Sequence, residues 1–265
     1  MIRSGSKLRG PQLYNADDID RLESTAKLAR QHLDEMLSCC VVGERPSMLA
    51  LALDAVAHLG RFVTPMVVVE NERGDVFNAP CAICVDDHVA HARPSEKPFT
   101  PGQLVTIDLM LAIDGWHADV ADSVVVGGGG HPLLGALDEV WAAGLAAIEP
   151  GVTWSEVALA MHTAAEANDV RLVRGLAGHG IGLNGHELPM LPLVPRPLDP
   201  PVILRPGMVF TLEPAITSGS GRIIDSEDGW VIRTTDGAPA ACREAMIAIT
   251  PDGFRTLGGP GIDDS

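Results

Sequence analysis

The feature that most constrains this chain is an apolar hairpin sequence between residues 101 and 127. Two apolar runs flank an Asp-Gly dipeptide at 114–115, which is the strongest short-range hairpin signal because both turn residues must tolerate a positive φ. With that turn, Met110 opposes Asp119, and Asp108 lies two residues before Met110. Opposed residues and residues two apart share a face, so we expect Asp108 and Asp119 to be diagonal neighbours, about 7–8 Å apart between Cβ atoms.

Two carboxylates on one apolar face repel each other and resist burial unless positive charge lies between them. A divalent metal ion is the simplest such charge, so the hairpin is a candidate metal site. These two residues alone leave an ordinary alternative open, in which one Asp faces solvent and the other accepts hydrogen bonds from backbone donors.

Composition excludes several other classes of protein. A chain of 265 residues that is 46% hydrophobic can bury a large core as one domain or two lobes. Its net charge of −16 argues against a nucleic-acid partner. Apolar runs are too short for a membrane span, and the N-terminus lacks the apolar stretch of a signal peptide, so we expect a cytoplasmic protein.

Five cysteines do not form a secreted disulfide pattern, and we expect Cys81 and Cys84 to pack in a buried strand.

The order of apolar periodicities predicts one domain from residue 15 to residue 258. We expect residues 1–14, with the only tyrosine, Tyr14, to form a flexible arm and residues 259–265 to form a tail. The expected helices cover residues 15–36, 47–59, 132–148 and 154–167. Besides the hairpin, the expected strands cover residues 62–69, 76–85, 175–186, 207–216, 229–235 and 243–250, with loops at 86–94 and 189–206.

Two pairs of segments repeat in the same order and at nearly equal offsets. They are residues 43–53 with 151–161 and residues 101–108 with 206–213. A chance match of short apolar segments is the alternative to two halves of similar build. If the halves pack about a pseudo-twofold axis, the acids that end the second pair, Asp108 and Glu213, both point into a shared centre.

Other residues extend this constellation. His179 lies between two glycines, and the bare backbone on both sides leaves its ring room to reach a ligand. A lone histidine is more often structural, but this chain already offers clustered acids. We reject a dinucleotide-binding interpretation of G-x-G-x-x-G at 180–185 because a strand-turn-helix setting is missing. Glu244 stands in the final predicted strand, where pairing with Arg243 is the alternative to a ligand role.

Together these motifs resemble type I methionine aminopeptidases, metallopeptidases with the pita-bread fold. The resemblance runs from about residue 15 to residue 258, and the order Asp, Asp, His, Glu, Glu is specific to pita-bread metallopeptidases. The matching pieces are His91-x-x-Pro94, Asp108 with Asp119, Gly178-His-Gly-Ile-Gly with His186-Glu-x-Pro189, Gly207-Met-Val-Phe-Thr-Leu-Glu-Pro214, Asp228-Gly-Trp230 and Glu244.

The resemblance implies an α+β fold, with a strongly curved, mainly antiparallel sheet flanked by two helix pairs related by a pseudo-twofold axis. The site is expected on the concave face of the sheet. The resemblance also implies two divalent ions, and a carboxylate-rich set with one histidine suits Mn²⁺, Fe²⁺ or Co²⁺, with zinc as an alternative. The implied ligands are Asp108, Asp119, His179, Glu213 and Glu244.

The implied activity is removal of N-terminal methionine from peptides and nascent proteins by a metal-bridging hydroxide. Glu213 is expected to relay the proton of the water, while His91 and His186 hydrogen-bond the substrate amide and the developing oxyanion. Trp230 is expected to contact the substrate. A monomer that acts on emerging chains, with the ribosome as a partner, is also expected.

Two departures from the family pattern keep other functions open. The family has an aromatic residue before its second histidine, where this chain has Gly185, and tyrosines in the specificity pocket, whereas here none follows Tyr14. An arginine beside the last ligand is also unusual, although strand alternation should point Arg243 to the opposite face. The alternatives are a pita-bread peptidase for Xaa-Pro or another N-terminal residue, and a non-enzymatic protein that binds peptides or partner proteins.

Overall fold

The computed structural model describes residues 10–60, 62–64, 74–197 and 200–258. In these ranges the chain forms the helices α1 (Ala16–Ser38), α2 (Pro46–Gly60), α3 (Pro132–Ala146) and α4 (Trp154–Ala167). The strands are β1 (Ala82–Val85), β2 (His88–Ala90), β3 (Leu104–Ile113), β4 (Trp116–Val125), β5 (Arg171–Leu172), β6 (Ala177–Gly180), β7 (Glu187–Pro192), β8 (Val209–Leu212), β9 (Ala215–Thr217), β10 (Ile223–Asp225), β11 (Ile232–Thr234), β12 (Ala240–Cys242), β13 (Ala245–Thr250) and β14 (Gly253–Leu257).

The first half of the molecule is the β3–β4 hairpin covered by α1. The helix begins with a capping box, in which the Asn15 side chain accepts from the Asp18 N–H and the Asp18 carboxylate accepts from the Asn15 N–H. The hairpin has the predicted register, since Ile113 pairs with Trp116 and Met110 pairs with Asp119. One face of the hairpin packs against α1 through the buried side chains of Val105, Ile107, Leu109, Leu111, Ala118 and Val120.

The second half repeats this construction around β8. Phe210 and Leu212 of β8 are fully buried in a second core with Leu137 of α3 and with Trp154 and Met161 of α4. Because side chains alternate along a strand, the residues between and after them face the other side of the sheet. The segments that repeat in the sequence therefore adopt matching structures, a strand covered on one face by helices.

The described strand pairs are all antiparallel and form four sheets. Their strand orders are β1-β3-β4, β10-β11-β2, β12-β9-β5 and β14-β13-β8-β6-β7. A bridge between Ala121 of β4 and Glu244, which immediately precedes β13, connects the two halves, with backbone N···O distances of 3.2 and 2.8 Å. The centre of the molecule is therefore lined by residues from both halves.

Several predicted loops and strands differ from the structure. The predicted strand at 76–85 is ordered as a strand only over Ala82–Val85, and the loop predicted at 86–94 contains a tight turn followed by β2. Most of the strand predicted at 62–69 lies outside the described residues. The proline-rich loop predicted at 189–206 begins as β7, which is an edge strand, where a residue without an N–H is tolerated. Short strands such as β10 and β14 were not predicted.

Tyr14 differs most from its prediction, because it is only 5% exposed instead of belonging to a flexible arm. Residues 1–9 lie outside the described residues. Cys81 and Cys84 are free and buried, as predicted. Among the helices described, none is both long enough and apolar enough to cross a membrane.

Candidate metal centre

The hairpin presents two of the predicted ligands on the face opposite α1. Asp108 and Asp119 alternate with the residues that pack on the helix, so both point to the centre of the molecule. Asp119 is 5% exposed, and after burial the nearby Asp108 carboxyl group is among the causes that raise its pKa. Two carboxylates buried beside each other favour a proton or a cation between them.

His179 of β6 joins this pair from the second half. Its Nδ1 lies 3.1 Å from the carbonyl oxygen of Gly180, which fixes the proton on Nδ1 and leaves the Nε2 lone pair free. Nε2 lies 3.8 Å from Asp119 Oδ2 and 3.7 Å from Glu213 Oε1. A neutral imidazole in this orientation presents a metal-binding nitrogen to two carboxylates.

Glu244 completes the cluster. Ligand atoms of Asp119, His179 and Glu244 all lie within 4.8 Å of one another, and all three residues are buried. Asp119 Oδ1 and Glu244 Oε1 have no hydrogen-bond partner among the described residues. Buried carboxylate oxygens normally have a partner, and a divalent cation would supply one to both. The donor set therefore fits a metal site.

Thr211 fixes the relative positions of two of these groups. Its hydroxyl donates to Glu213 Oε1 at 2.7 Å and accepts the backbone N–H of His179 at 3.0 Å. Thr211 is fully buried, so its hydrogen bond with the His179 N–H is protected from water. One hydroxyl thus links the β8 acid to the β6 histidine.

The electrostatics of the centre favour the binding of a cation. Burial raises the pKa of Asp108 to about 6 and that of Glu213 to about 8. Burial and the neighbouring carboxylates raise the pKa values of Asp119 and Glu244 well above their usual range. Burial also lowers the pKa of His179 to about 3, which keeps the imidazole neutral. Among the described residues, no lysine or arginine forms an ion pair with these four acids.

Three further histidines lie around the cluster. The ring of His186 stacks at 4.0 Å from that of His179, and burial lowers the pKa of His186 to about 4, with a further lowering by His91 and His117. His91 follows β2 with a φ of 54°, a conformation uncommon for any residue with a side chain. His186 is therefore beside the cluster, and His91, from a distant part of the chain, lies near His186.

An apolar group borders Asp108. Trp230 packs edge-on against Phe77, with 5.2 Å between ring centroids, and both belong to a small buried cluster with Ala82, the residue opposite Asp108. On the other side, a Cβ on Gly185 would lie 2.5 Å from the sulfur of Met110. Met110 thus occupies the space that a side chain at position 185 would need.

Comparison with known proteins identifies the kind of protein that carries such a centre. A model of metallopeptidase family M24 matches residues 20–250. The chain belongs to metallopeptidase family M24. A family of metallopeptidases requires a divalent metal, and the cluster of Asp119, His179 and Glu244 is where the described residues offer one a site.

The relatives of this M24 member include curated methionine aminopeptidases. The one from Mycobacterium tuberculosis is 37% identical over 275 residues, which cover 97% of this chain and 99% of that protein. The one from Treponema pallidum is 30% identical over 252 residues, which cover 94% and 96%. The resemblance stated from the sequence motifs is thus confirmed.

Solved structures confirm the pita-bread fold. The methionine aminopeptidase from Rickettsia prowazekii superimposes with a TM-score of 0.87 at 26% identity, covering 94% of this chain and 99% of that one. A prolidase from Pyrococcus furiosus matches with a TM-score of 0.70 at 19% identity, covering 94% and 66%, which shows a common fold alone.

The sequence analysis of this M24 member did not predict several residues in and around the metal centre. Thr211 and His117 stand two residues before Glu213 and Asp119, so the alternation that predicted the acids on one face could have found them. Phe77 adds an aromatic ring beside Trp230 that the count of tyrosines overlooked. Tyr14 had no local signal, because its contacts are with residues far along the chain.

Proposed function

We propose that this protein is a metallo-aminopeptidase that removes N-terminal methionine from peptides and nascent proteins. The observation that carries the proposal is the buried cluster of Asp119, His179 and Glu244, in which two carboxylate oxygens lack a partner among the described residues. The methionine aminopeptidases that match nearly the whole chain support the choice of substrate.

Two divalent ions suit the charge of the proposed ligand set. Four carboxylates balance two M²⁺ ions, and one neutral imidazole completes the donors. Oxygen-rich sites with a single histidine favour Mn²⁺, Fe²⁺ or Co²⁺, with zinc as the alternative. When bound, such a pair supplies a Lewis acid for the scissile carbonyl and lowers the pKa of an attacking water. The ligands would be Asp108, Asp119, His179, Glu213 and Glu244.

Glu213 is the proposed proton carrier. Its pKa is raised to about 8 by burial, so in the metal-free protein its carboxyl group can hold a proton near neutral pH. The Thr211 hydroxyl orients one carboxylate oxygen, Oε1, and leaves the other, Oε2, available. Glu213 would take the proton from the attacking water and deliver it to the leaving amine.

His91 and His186 are the proposed donors to the substrate. His186 lies against the ring of His179, His91 lies near His186, and neither is among the three mutually close ligands. A neutral imidazole can donate one N–H, which would stabilise the negative charge that develops on the carbonyl oxygen. His186 is held against the ring of His179, so its direction is restricted.

Trp230, Phe77 and Met110 are the proposed contacts of the methionine side chain. The aromatic pair on one side of Asp108 and the thioether on the other are polarizable apolar groups, and sulfur–aromatic contacts favour a thioether ligand. We further propose, as extensions of this function, a monomer in the cytoplasm that meets its substrates at the ribosome.

The test is release of free methionine from a Met-Ala-Ser peptide by protein loaded with Mn²⁺ or Co²⁺. The Glu213→Ala variant should lose this release, while Glu139→Ala, which removes an exposed glutamate from α3, should keep it. An Xaa-Pro peptide runs in parallel. Cleavage of the Xaa-Pro peptide alone would replace the proposal with a prolidase-type activity. If the protein retains no metal after incubation with Mn²⁺ or Co²⁺, a non-enzymatic binding protein would be favoured instead.

A further inference from the structure

The hydroxyl of Tyr14 is the centre of a buried hydrogen-bond group that includes Glu187, the residue after His186. It donates to the Glu187 carboxylate, with distances of 2.9 Å to Oε2 and 3.0 Å to Oε1. It also accepts the backbone N–H of Leu183 at 3.0 Å. Tyr14 and Glu187 are each only 5% exposed, so water does not replace these bonds.

These partners all belong to residues 181–187, which we call the His186 loop. Inside the loop, Asn184 donates its backbone and side-chain N–H groups to Glu187 Oε1 at 2.9 and 3.1 Å. A Cβ on Gly182 would overlap the tyrosine hydroxyl, so the loop is shaped around that group. The loop begins directly after β6, which carries His179, and it carries His186.

Tyr14 is itself held from two sides. Its backbone N–H donates to the carbonyl of Gly207 at 2.7 Å, two residues before β8. Its ring packs edge-on against Trp116, with 5.9 Å between centroids, at the start of β4. The next residue, Asn15, caps α1. The hydroxyl is therefore a fixed point that connects the start of the helix to the His186 loop.

The buried Glu187 carboxylate depends on the Tyr14 hydroxyl as a hydrogen-bond donor. Among the described residues, its hydrogen-bond partners are Tyr14 and Asn184, and no lysine or arginine pairs with it. A buried carboxylate that loses its one donor from outside the loop must recover a partner by moving toward water. Such a movement would carry the adjacent residue, His186, with it.

We propose that Tyr14 is a positioning residue, which holds His186 in place through Glu187 so that the segment before α1 is part of the active-site support. The kinetic consequence rests on the proposed function, but the effect on loop order does not. A misplaced donor loses stabilisation of the transition state more than substrate binding, so the effect should fall on kcat.

The Tyr14→Phe variant tests the proposal because it removes the hydroxyl and retains the ring on Trp116. We expect kcat for a methionyl peptide to fall about tenfold or more, with KM changed less than about twofold and metal content unchanged. The matched control is Thr25→Val, which removes another buried hydroxyl, one that bonds only to the backbone of α1. An equal loss of kcat in the control would overturn the proposal.

A double-mutant cycle shows whether the effect passes through His186. In a His186→Ala background, Tyr14→Phe should lower kcat no further, because the positioned group is already absent. Additive losses would mean that Tyr14 acts elsewhere, and the proposal would be wrong. The Glu187→Gln variant keeps an oxygen acceptor for the tyrosine and should retain more activity than Glu187→Ala. Equal losses in these two variants would also contradict the proposal.

Hydrogen exchange separates this inference from the proposed function. Amides of residues 181–187 should exchange faster in Tyr14→Phe than in the wild-type protein, while amides of α3 should not change. If the wild-type protein releases no methionine but the His186 loop of Tyr14→Phe exchanges faster, the proposed function fails and the positioning role of Tyr14 stands. If the exchange of the loop is unchanged in Tyr14→Phe, the positioning role is wrong whatever the activity.

Discussion

The two faces of the β3–β4 hairpin stabilise buried charge in opposite ways. On the side of α1, Asp122 is 7% exposed and pairs with two arginines, with Arg30 at 3.1 Å and Arg243 at 3.2 Å. Only three residues earlier, Asp119 is 5% exposed on the other side and has acids and a neutral histidine as neighbours. We call these the arginine face and the metal face.

The alternation of a strand explains how both faces occur in one short segment. Residues at odd separation point to opposite sides, so Asp119 and Asp122 diverge, as do Arg243 and Glu244. Arg243 also reaches Asp138 at 2.6 Å, so its charge is directed away from Glu244, as the sequence predicted. The comparison indicates that the chain can pair its buried acids and leaves one set unpaired where a metal would bind.

The largest difference between the faces should appear when each central aspartate is replaced by asparagine. Asp119→Asn should lose bound metal and lower kcat/KM on the order of a thousandfold, about 4 kcal/mol of transition-state stabilisation. Asp122→Asn should retain its metal, because its carboxylate belongs to the arginine face. Metal content by elemental analysis and kcat/KM on a methionyl peptide check both variants. Loss of metal in Asp122→Asn alone would reverse the assignment of the two faces.

For folding stability, in contrast to metal binding, the aspartate of the arginine face should matter strongly. Asp122→Ala leaves Arg30 and Arg243 without their shared acid and should lower the free energy of unfolding by about 2–3 kcal/mol. The matched control is Lys27→Ala, which breaks an exposed pair on α1 and should cost less than about 1 kcal/mol. Urea unfolding of both variants measures the difference. Equal costs would show that the arginine face contributes no more than a surface ion pair.

The metal-free protein should lose stability as pH rises from 6.5 to 8.5. Acids whose folded-state pKa is raised, such as Glu213 at about 8, bind more protons in the folded than in the unfolded chain. Their contribution is complete below the unfolded pKa and is lost as pH rises through the folded pKa, a change on the order of 2 kcal/mol. The lowered pKa of His179, about 3, acts in the opposite sense only near pH 6.5, where the unfolded imidazole loses its proton, and adds nothing further at higher pH.

Chelator-treated protein unfolded in urea at several pH values gives this slope. Asp119→Asn should flatten it, because one member of the repelling group is then neutral. Addition of Mn²⁺ to the wild-type protein should also remove it, since the cation replaces the protons. Stability that rises with pH in the metal-free protein would contradict the raised pKa values.

The sequence predicted the metal face well because the relevant signals are local. An Asp-Gly turn determines the register, and a period of two then assigns every residue of both strands to a face. The arginine face follows from the same rule, but its partner Arg30 on α1 could not be chosen, since helix docking is a tertiary property. The internal repeat added Glu213, and the order of the motifs added His179 and Glu244, which no periodicity connects to the hairpin.

Tyr14 and β7 show where local signals end. Tyr14 is 173 residues from its partner Glu187, and its neighbours in the sequence form no pattern that requires burial. Two prolines made β7 appear to be a loop, since the protection of an edge strand depends on which strand it pairs with. Both features depend on contacts between distant parts of the chain.

The smallest expected effect concerns packing on the metal face. Gly185 packs closely against Met110 there, whereas buried ion pairs stabilise the arginine face. A Cβ at 185 would lie 2.5 Å from the Met110 sulfur, so Gly185→Ala must displace a flexible side chain, at a cost of about 1 kcal/mol. In a Met110→Ala background, Gly185→Ala should cost no further stability, because the group that it displaces is absent. Gly135→Ala is the control, since its Cβ would meet nothing within 4 Å.

If Met110 is part of the pocket, the same variants should change the choice of substrate. Met110→Ala removes part of the pocket wall and enlarges the pocket. The variant should therefore raise, by a few-fold, the relative kcat/KM for peptides that begin with a residue bulkier than methionine. Gly185→Ala should do the reverse. Competition between two N-terminal residues in one reaction measures the ratio directly. A ratio that is unchanged in both variants would mean that this contact serves only to pack the metal face.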